Sequence, residues 1–222
     1  MTDLTPLWLS LKVALTATAG VVVLGTLAAW RLALGRFKGK ALLETVLTLP
    51  LVLPPTVAGY YLLLALGRGT AWGVWLNDSA GIRLLFTWEG AAIAAAIMAF
   101  PLMVKTAAAA MESVDREYVE TARMAGADEW QIFLHVLLPL SYKGIFAGAV
   151  LAFARGLGEF GATLMVAGNI PGQTQTLPLA LYAAVQAGAE NVALLYTLLL
   201  TVVSFVILYA VSAYQRYLAR TR

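Results

Sequence analysis

Two residues of opposite charge, Arg155 and Glu159, lie inside a long apolar run of the sequence. Residues four positions apart share one face of a helix, so these two side chains can form an ion pair. Charges in apolar surroundings are costly and usually face the protein interior or an aqueous cavity. The pair, with Gly158 and Gly161 beside it, therefore either borders a polar pathway or gate or forms a structural ion pair, and the sequence leaves both interpretations open.

A cluster of prolines interrupts a second apolar run, in the segment PLVLPPT at residues 50–56. Proline lacks a backbone N–H and clashes with the preceding turn, so a helix through this segment should kink or break. Broken helices inside a membrane are tolerated where neighbouring groups or water satisfy the freed backbone. Pro54, Pro55 and Thr56 are therefore further candidates for lining a pathway, with a simple kink as the alternative.

The longest polar stretch extends from about residue 111 to 136 and lies between apolar runs. Ser113 or Asp115 can cap a helix that continues to about Ala125. Gly126 follows, and glycine commonly ends a helix because it adopts the left-handed conformation without strain. The first half of the stretch therefore predicts a helix that ends in a glycine turn.

The second half predicts another short helix, which runs from Asp128 toward His135. Asp128 with Gln131 three residues on resembles a capping box. The pair Leu138-Pro139 then marks the entry to the next span, because proline is tolerated in the first turn of a helix. The helix displays several large apolar side chains, Trp130, Ile132, Phe133, Leu134 and Val136. Such a patch usually marks an interaction site, and the alternative is a hairpin whose apolar side lies on the membrane interface.

Other kinds of site are disfavoured by the residue inventory. The chain has no cysteine and one histidine, His135, so we expect no disulfide, no metal site and no cofactor. The net charge of +3 comes from basic residues that cluster at the ends of apolar runs, where membrane topology explains them. We therefore expect no nucleic-acid partner, and the absence of cysteine excludes a cysteine nucleophile.

The composition places these sites in a membrane protein. Of 222 residues, 61% are hydrophobic and 12% are charged, whereas about a quarter of the residues in a soluble domain are charged. A transmembrane helix needs about 20 apolar residues. We therefore predict one all-α domain over residues 1–222 with about five spans, near 7–30, 41–66, 88–110, 136–167 and 191–214. The fourth is long for one span and could instead be a span followed by a partly inserted segment.

The basic residues also orient the chain. Short connections rich in lysine and arginine stay in the cytoplasm. Eleven such residues lie after the first run, around the polar stretch and in the C-terminal tail, whereas the other connections hold only Arg68 and Arg83. This bias predicts an N-terminus outside, a C-terminus inside and a cytoplasmic polar stretch.

The spacing within the polar stretch resembles the signature loop of ABC importer permeases. That signature is EAA, three residues, G, nine residues and I-x-L-P. Here Glu120, Ala122 and Gly126 are followed by nine residues and then by VLLP, which ends in Leu138 and Pro139. Threonine replaces the middle alanine and valine the isoleucine, and both departures are conservative in size.

The resemblance implies that this loop is a coupling helix, which docks onto a separate cytoplasmic ATPase. Glu120, Ala122 and Gly126 would then shape the loop, and residues 128–135 would include the docking surface. The chain has no GxxxxGK[ST] phosphate loop, so the ATP site is expected on the partner subunit. The protein itself would be a transport subunit and not an enzyme.

A wider resemblance covers nearly the whole chain. PLVLPP at 50–55, FPLM at 100–103, LAFARGLGEFGA at 151–162 and NIPG at 169–172 resemble bacterial molybdate-type permeases, a branch close to the sulfate permeases. The resemblance implies import of molybdate, or of tungstate or sulfate, across the bacterial inner membrane by ATP-driven alternating access. It also implies two ATPase copies and an extracytoplasmic oxyanion-binding protein as partners.

The sequence contains no convincing internal repeat, so a pathway on a symmetry axis would need a second copy of the chain, and we expect a homodimer. Two rival functions remain open. One is an ATPase-independent secondary transporter or channel, which would carry flux without a nucleotide-binding subunit. The other is a membrane scaffold, whose deletion would have no substrate-dependent phenotype.

Overall fold

The structure, a computed structural model, describes residues 3–35 and 37–220, without the side chains of 212 and 214–220. Every regular element in this part of the chain is helical, so the all-α prediction is confirmed. The helices are α1 (Thr5–Leu34), α2 (Lys40–Thr48), α3 (Pro55–Leu66), α4 (Ala71–Val74), α5 (Trp88–Glu112), α6 (Arg116–Met124), α7 (Glu129–Ile132), α8 (Leu138–Leu157), α9 (Gly161–Ala167), α10 (Leu177–Gln186) and α11 (Glu190–Arg220).

Three long helices, α1, α5 and α8, pack against one another and form the centre of the molecule. Alanine dominates the buried face of α5, where Ala91, Ala94, Ala95 and Ala99 are at most 1% exposed. Small side chains let helix backbones approach closely, which is how helices associate inside a membrane. The apolar runs thus provide both the membrane-spanning length and the interior contacts.

The proline-rich run is broken, as predicted. Helix α2 continues through a short 3₁₀ turn to Leu51, α3 begins at Pro55, and the two arms meet at an angle of 109°. Neither arm alone has the roughly 20 residues that a straight span requires. Within the described part of the chain, four helices are long and apolar enough to cross a membrane, or five if the bent pair counts as one span.

The fourth apolar run is a span followed by a separate short helix, which was the alternative for this long run. The span is a continuous 29-residue helix, Glu129–Leu157, so its first turns belong to the polar stretch. Pro139 lies in the first turn of α8, as predicted, but the chain is already helical before it. A π-helical segment, Phe133–Leu137, joins α7 to α8, and its wider turn accommodates the clash that proline creates in a regular α-helix.

Helices α9 and α10 fill the space between the central helices and the periphery. Helix α9 packs on α3 and α5, and α10 packs on α11. A buried hydrogen bond fixes α10 to the first span, because the Leu177 backbone N–H donates to Ser10 Oγ at 2.7 Å. Helix α11 lies at the edge with an exposed apolar surface, as expected for a helix that faces lipid or a second protein chain.

Candidate coupling loop and translocation pathway

The first helix of the loop, α6, has the predicted ends. The Asp115 side chain caps its N-terminus and accepts from the Glu117 backbone N–H at 3.1 Å. The helix ends at Met124, and Gly126 has φ = 86°, in the left-handed region. A side chain at Gly126 would meet no other group within 4 Å, so backbone conformation is what favours glycine at this turn.

The second helix of the loop begins with the predicted capping box. The Gln131 backbone N–H donates to Asp128 Oδ1 at 2.7 Å, and the Asp128 backbone N–H donates to Gln131 Oε1 at 2.9 Å. These two bonds satisfy N–H groups that the first turn of a helix leaves free. Asp128 is therefore placed primarily as a cap on α7.

An ion pair that the sequence did not suggest closes the glycine turn. Arg123 near the end of α6 reaches Glu129 at the start of α7, with 2.8 Å between Nη2 and Oε1. Both side chains are about half exposed, so the pair stabilises the turn by no more than about 1 kcal/mol. Its two partners are six residues apart and meet only because Gly126 reverses the chain.

The predicted loop residues differ in how accessible they are. Glu120, Gly126, Asp128, Trp130 and Pro139 are exposed, whereas Ala122 and Leu138 are half-buried. Phe133 is only 3% exposed and belongs to the interior. The accessible apolar side chains of the second helix are therefore Trp130 and Leu134.

Helix α6 adds two exposed apolar side chains that the sequence interpretation missed. Tyr118 is 60% exposed and Met124 is 82% exposed. Val119 is the buried residue of this helix. A helix that turns this one position inward leaves its other apolar side chains exposed, and that pattern could have revealed Tyr118 and Met124 from the sequence. The accessible side chains of the loop thus include these two, Trp130 and the carboxylate of Glu120.

The predicted pair between Arg155 and Glu159 is present, at 2.5 Å between Nη1 and Oε2. Its setting differs from the prediction, because α8 ends at Leu157 and Glu159 lies beyond the helix. Glu159 is nearly fully buried, and its other oxygen, Oε1, accepts the backbone N–H of Ala162 at 2.8 Å. One carboxylate therefore connects the end of α8 to the first turn of α9.

The two groups of predicted pathway residues meet in space. A Cβ atom at Gly161 would lie 3.1 Å from Pro55 Cβ and 3.2 Å from Thr56 Cγ2. One turn farther along α3, a Cβ atom at Gly59 would lie 2.8 Å from the Cα of Ala162. The start of α3, just after Pro54, thus lies against the start of α9, and glycines permit the close approach.

The junction of α3 and α9 carries positive charge that one carboxylate partly offsets. Two helix N-termini carry partial positive charge, and the Arg155 guanidinium adds a full charge, since its side chain is 29% exposed and not sealed off. Glu159 offsets part of this potential. Together with Gly158, which is exposed at the end of α8, these groups form a polar break among apolar helices.

The family described as binding-protein-dependent transport system inner membrane component matches residues 21–222. The chain belongs to this family. It is therefore an inner-membrane subunit of a transport system, and the resemblance predicted from the loop spacing is confirmed.

Relatives of this importer permease have transport functions in their names. The molybdenum transport system permease protein ModB of Escherichia coli K12 is 50% identical over 184 residues, which cover 82% of this chain and 80% of ModB. The sulfate transport system permease protein CysT of the same strain is 38% identical over 164 residues, covering 74% of this chain and 59% of CysT. The predicted proximity of molybdate-type and sulfate permeases is thus confirmed.

A solved structure supports the fold. A chain of the MetNI methionine ABC transporter in an inward-facing conformation superposes with a TM-score of 0.73 and 16% identity, covering 97% of this permease and 95% of that chain. At this identity the likeness extends to the fold alone. It shows that the helical arrangement described above is one found in ABC transporters.

Proposed function

We propose that this permease moves molybdate, or a closely related tetrahedral oxyanion, into the cytoplasm by ATP-driven alternating access. The observation that carries the proposal is 50% identity to a molybdenum transport permease over most of both chains. Tungstate is the near alternative, and the similarity to a sulfate permease favours sulfate as a second candidate. All three are tetrahedral dianions of similar hydrogen-bonding character.

The chain acts with partners. Two copies of a cytoplasmic ATPase supply ATP hydrolysis, because this sequence has no phosphate-loop motif. An extracytoplasmic binding protein captures the oxyanion, and a second copy of the chain completes the pathway. ATP binding draws the two ATPases together, the coupling loops follow, and the pathway opens outward. Hydrolysis returns it to the inward-open state.

The loop docks on the ATPase through its exposed surface. Met124, Tyr118 and Trp130 supply apolar area, and Glu120 supplies a charge that fits a basic group on the partner. The two caps, the glycine turn and the Arg123–Glu129 pair fix the shape of this surface before docking. A preformed surface loses less conformational entropy on binding.

The junction of α3 and α9 lies beside the pathway. Broken helices whose N-termini face a cavity are suited to passing anions, because the partial charge of the helix ends attracts them. Arg155 adds to that attraction, and its pairing with Glu159 keeps the attraction weak. Weak binding suits a permease, since the anion must also leave.

The test is Gly126→Asp with Gly126→Asn as the matched control. Both residues tolerate the left-handed conformation, and space is open at this position, so both variants should reach the membrane. The charged variant alone should lose ATP-driven uptake of labelled molybdate in proteoliposomes that contain the ATPase and the binding protein. Normal uptake by Gly126→Asp would overturn the assignment of this loop.

Two further measurements separate the alternatives. Uptake that persists without the ATPase and follows an ion gradient would indicate a secondary transporter. Competition among molybdate, tungstate and sulfate for the binding protein, followed by uptake of each, identifies the cargo.

A further inference from the structure

The C-terminal end of α1 carries an aromatic residue, Trp30, that lies outside the signature loop yet contacts it directly. Its ring stacks on Phe133 with 4.8 Å between ring centroids and meets the edge of Trp130 at 5.6 Å. Trp130 and Phe133 are themselves 5.2 Å apart. The three rings form a closed cluster in which one member belongs to the first span and two belong to the coupling loop.

Trp30 also joins two apolar cores. The membrane core consists of buried residues of α1, α5 and α8 together with Phe133, and the loop core consists of Val119, Ile132 and Leu137. Trp30 packs against both cores. Leu34, one turn farther along α1, packs against the loop core. The end of α1 therefore holds the loop through side-chain packing, with Trp30 at the point where the two cores meet.

The cluster lies at the least regular part of the helix that leads from the loop into the membrane. Phe133 is the first residue of the π-helical segment Phe133–Leu137, and Pro139 follows it. Both features weaken the backbone hydrogen-bond ladder that would otherwise keep α7 and α8 in line. Packing of Trp30 on Phe133 braces this turn from outside the helix.

We infer that Trp30 is a positioning residue for coupling: it ties the coupling loop to α1, so that a movement of the loop also displaces the first span. The inference rests on the proposed function of the loop. Without the Trp30 ring, the loop would bend at the π-helical segment when the ATPase pulls on the loop. ATP hydrolysis would then continue with less transport.

The structure indicates which property of Trp30 matters. Its indole Nε1 is buried and has no hydrogen-bond partner, so the N–H group makes no contribution to the contact. The ring itself fills the space between the cores. Trp30→Phe should therefore preserve coupling, and Trp30→Ala should not.

The experiment measures the number of ATP molecules hydrolysed per molybdate ion imported, in proteoliposomes with the ATPase and the binding protein. Trp72→Ala is the matched control, because Trp72 also stacks on a second ring, Trp75, at 4.9 Å, but in the segment between the second and third apolar runs. We expect Trp30→Ala to raise the ratio about tenfold, which is a typical size for coupling between sites. Trp30→Phe and Trp72→Ala should stay within about twofold of the wild type.

The outcomes are distinct. A wild-type transporter without ATP-dependent uptake would refute the proposed function itself. A coupled wild type with an equally coupled Trp30→Ala would overturn the role of Trp30 alone. A Trp30→Phe variant as uncoupled as Trp30→Ala would overturn the assignment to ring packing. If Trp30→Ala does not assemble in the membrane, Trp30→Leu replaces it. The expected rise in ATP hydrolysed per molybdate imported is then the same.

Discussion

Glu159 makes two contacts that can be removed separately. One oxygen pairs with Arg155, and the other accepts the backbone N–H of Ala162. Glu159→Gln removes the charge but keeps a carbonyl oxygen that can accept the N–H. Glu159→Ala removes both contacts. A swap of the two charges is a poor test of the pair, because an arginine at 159 cannot accept the Ala162 N–H.

The burial of the two partners sets the expected loss of stability. An exposed ion pair contributes about 0–1 kcal/mol, whereas breaking a fully buried pair costs about 3–5 kcal/mol. Glu159 is 1% and Arg155 29% exposed in their side chains, so we expect Glu159→Gln to lower the free energy of unfolding by about 2 kcal/mol. Glu159→Ala should lose about 1 kcal/mol more, the usual contribution of a side-chain cap.

Thermal unfolding of the purified protein in detergent tests these values. For a chain of this size, 1 kcal/mol corresponds to about 2–4 °C in Tm, which gives a fall of about 4–8 °C for Glu159→Gln and about 6–12 °C for Glu159→Ala. Glu89→Gln, at an exposed carboxylate in the first turn of α5, is the control and should change Tm little. Equal shifts for the two Glu159 variants would refute the capping role.

Uptake measured on the same variants decides between the structural and pathway interpretations of the pair. Both should be assayed well below their Tm and normalised to assembled transporter. A structural pair predicts that Glu159→Gln retains uptake within about twofold, since the remaining contacts still hold α9. If Glu159→Gln lowers uptake much more than it lowers the amount of folded protein, the charge of Glu159 acts in the pathway.

Two further variants test packing at other points. Gly59→Ala should lower the free energy of unfolding by about 1–3 kcal/mol, because the added methyl group would lie 2.8 Å from the backbone of α9. Gly20→Ala, inside α1 with no group within 4 Å, should leave the free energy of unfolding unchanged or raise it by up to about 1 kcal/mol in the same thermal assay. Ser10→Ala should cost about 1–3 kcal/mol, because it leaves the buried Leu177 N–H without its acceptor. Thr18→Ala, whose hydroxyl bonds within its own helix, should cost less, and equal losses would contradict this account.

The sequence predicted most where the determinants are local. Asp115, Asp128 and Gln131 cap helices through contacts two or three residues away, and the conformation of Gly126 depends on the turn it occupies. The prolines at 50–55 predicted a break because proline acts on its own helix. These features follow from neighbouring residues, so a single sequence was sufficient.

Features that depend on distant parts of the chain were missed. Nothing near Trp30 indicates that Phe133, about a hundred positions away, will stack on it. The contact of Pro55 with Gly161 likewise joins two breaks that were predicted independently. The assignment of Phe133 to the docking surface came from its apolar character, and composition cannot distinguish an exposed apolar residue from a buried one.

If the loop couples to an ATPase as proposed, the arrangement of the helices gives it a route to a distant junction. The helix that begins in the loop at Glu129 continues through the π-helical segment to Leu157, a length of about 43 Å at 1.5 Å per residue. Its far end carries Arg155, and Glu159 links that end to α9. A displacement of the loop therefore reaches the junction of α3 and α9 along a single helix, provided that the helix does not bend at its π-helical segment. Trp30 packs on Phe133 at that segment, so the proposed mechanism puts the aromatic cluster and the buried carboxylate on one mechanical connection.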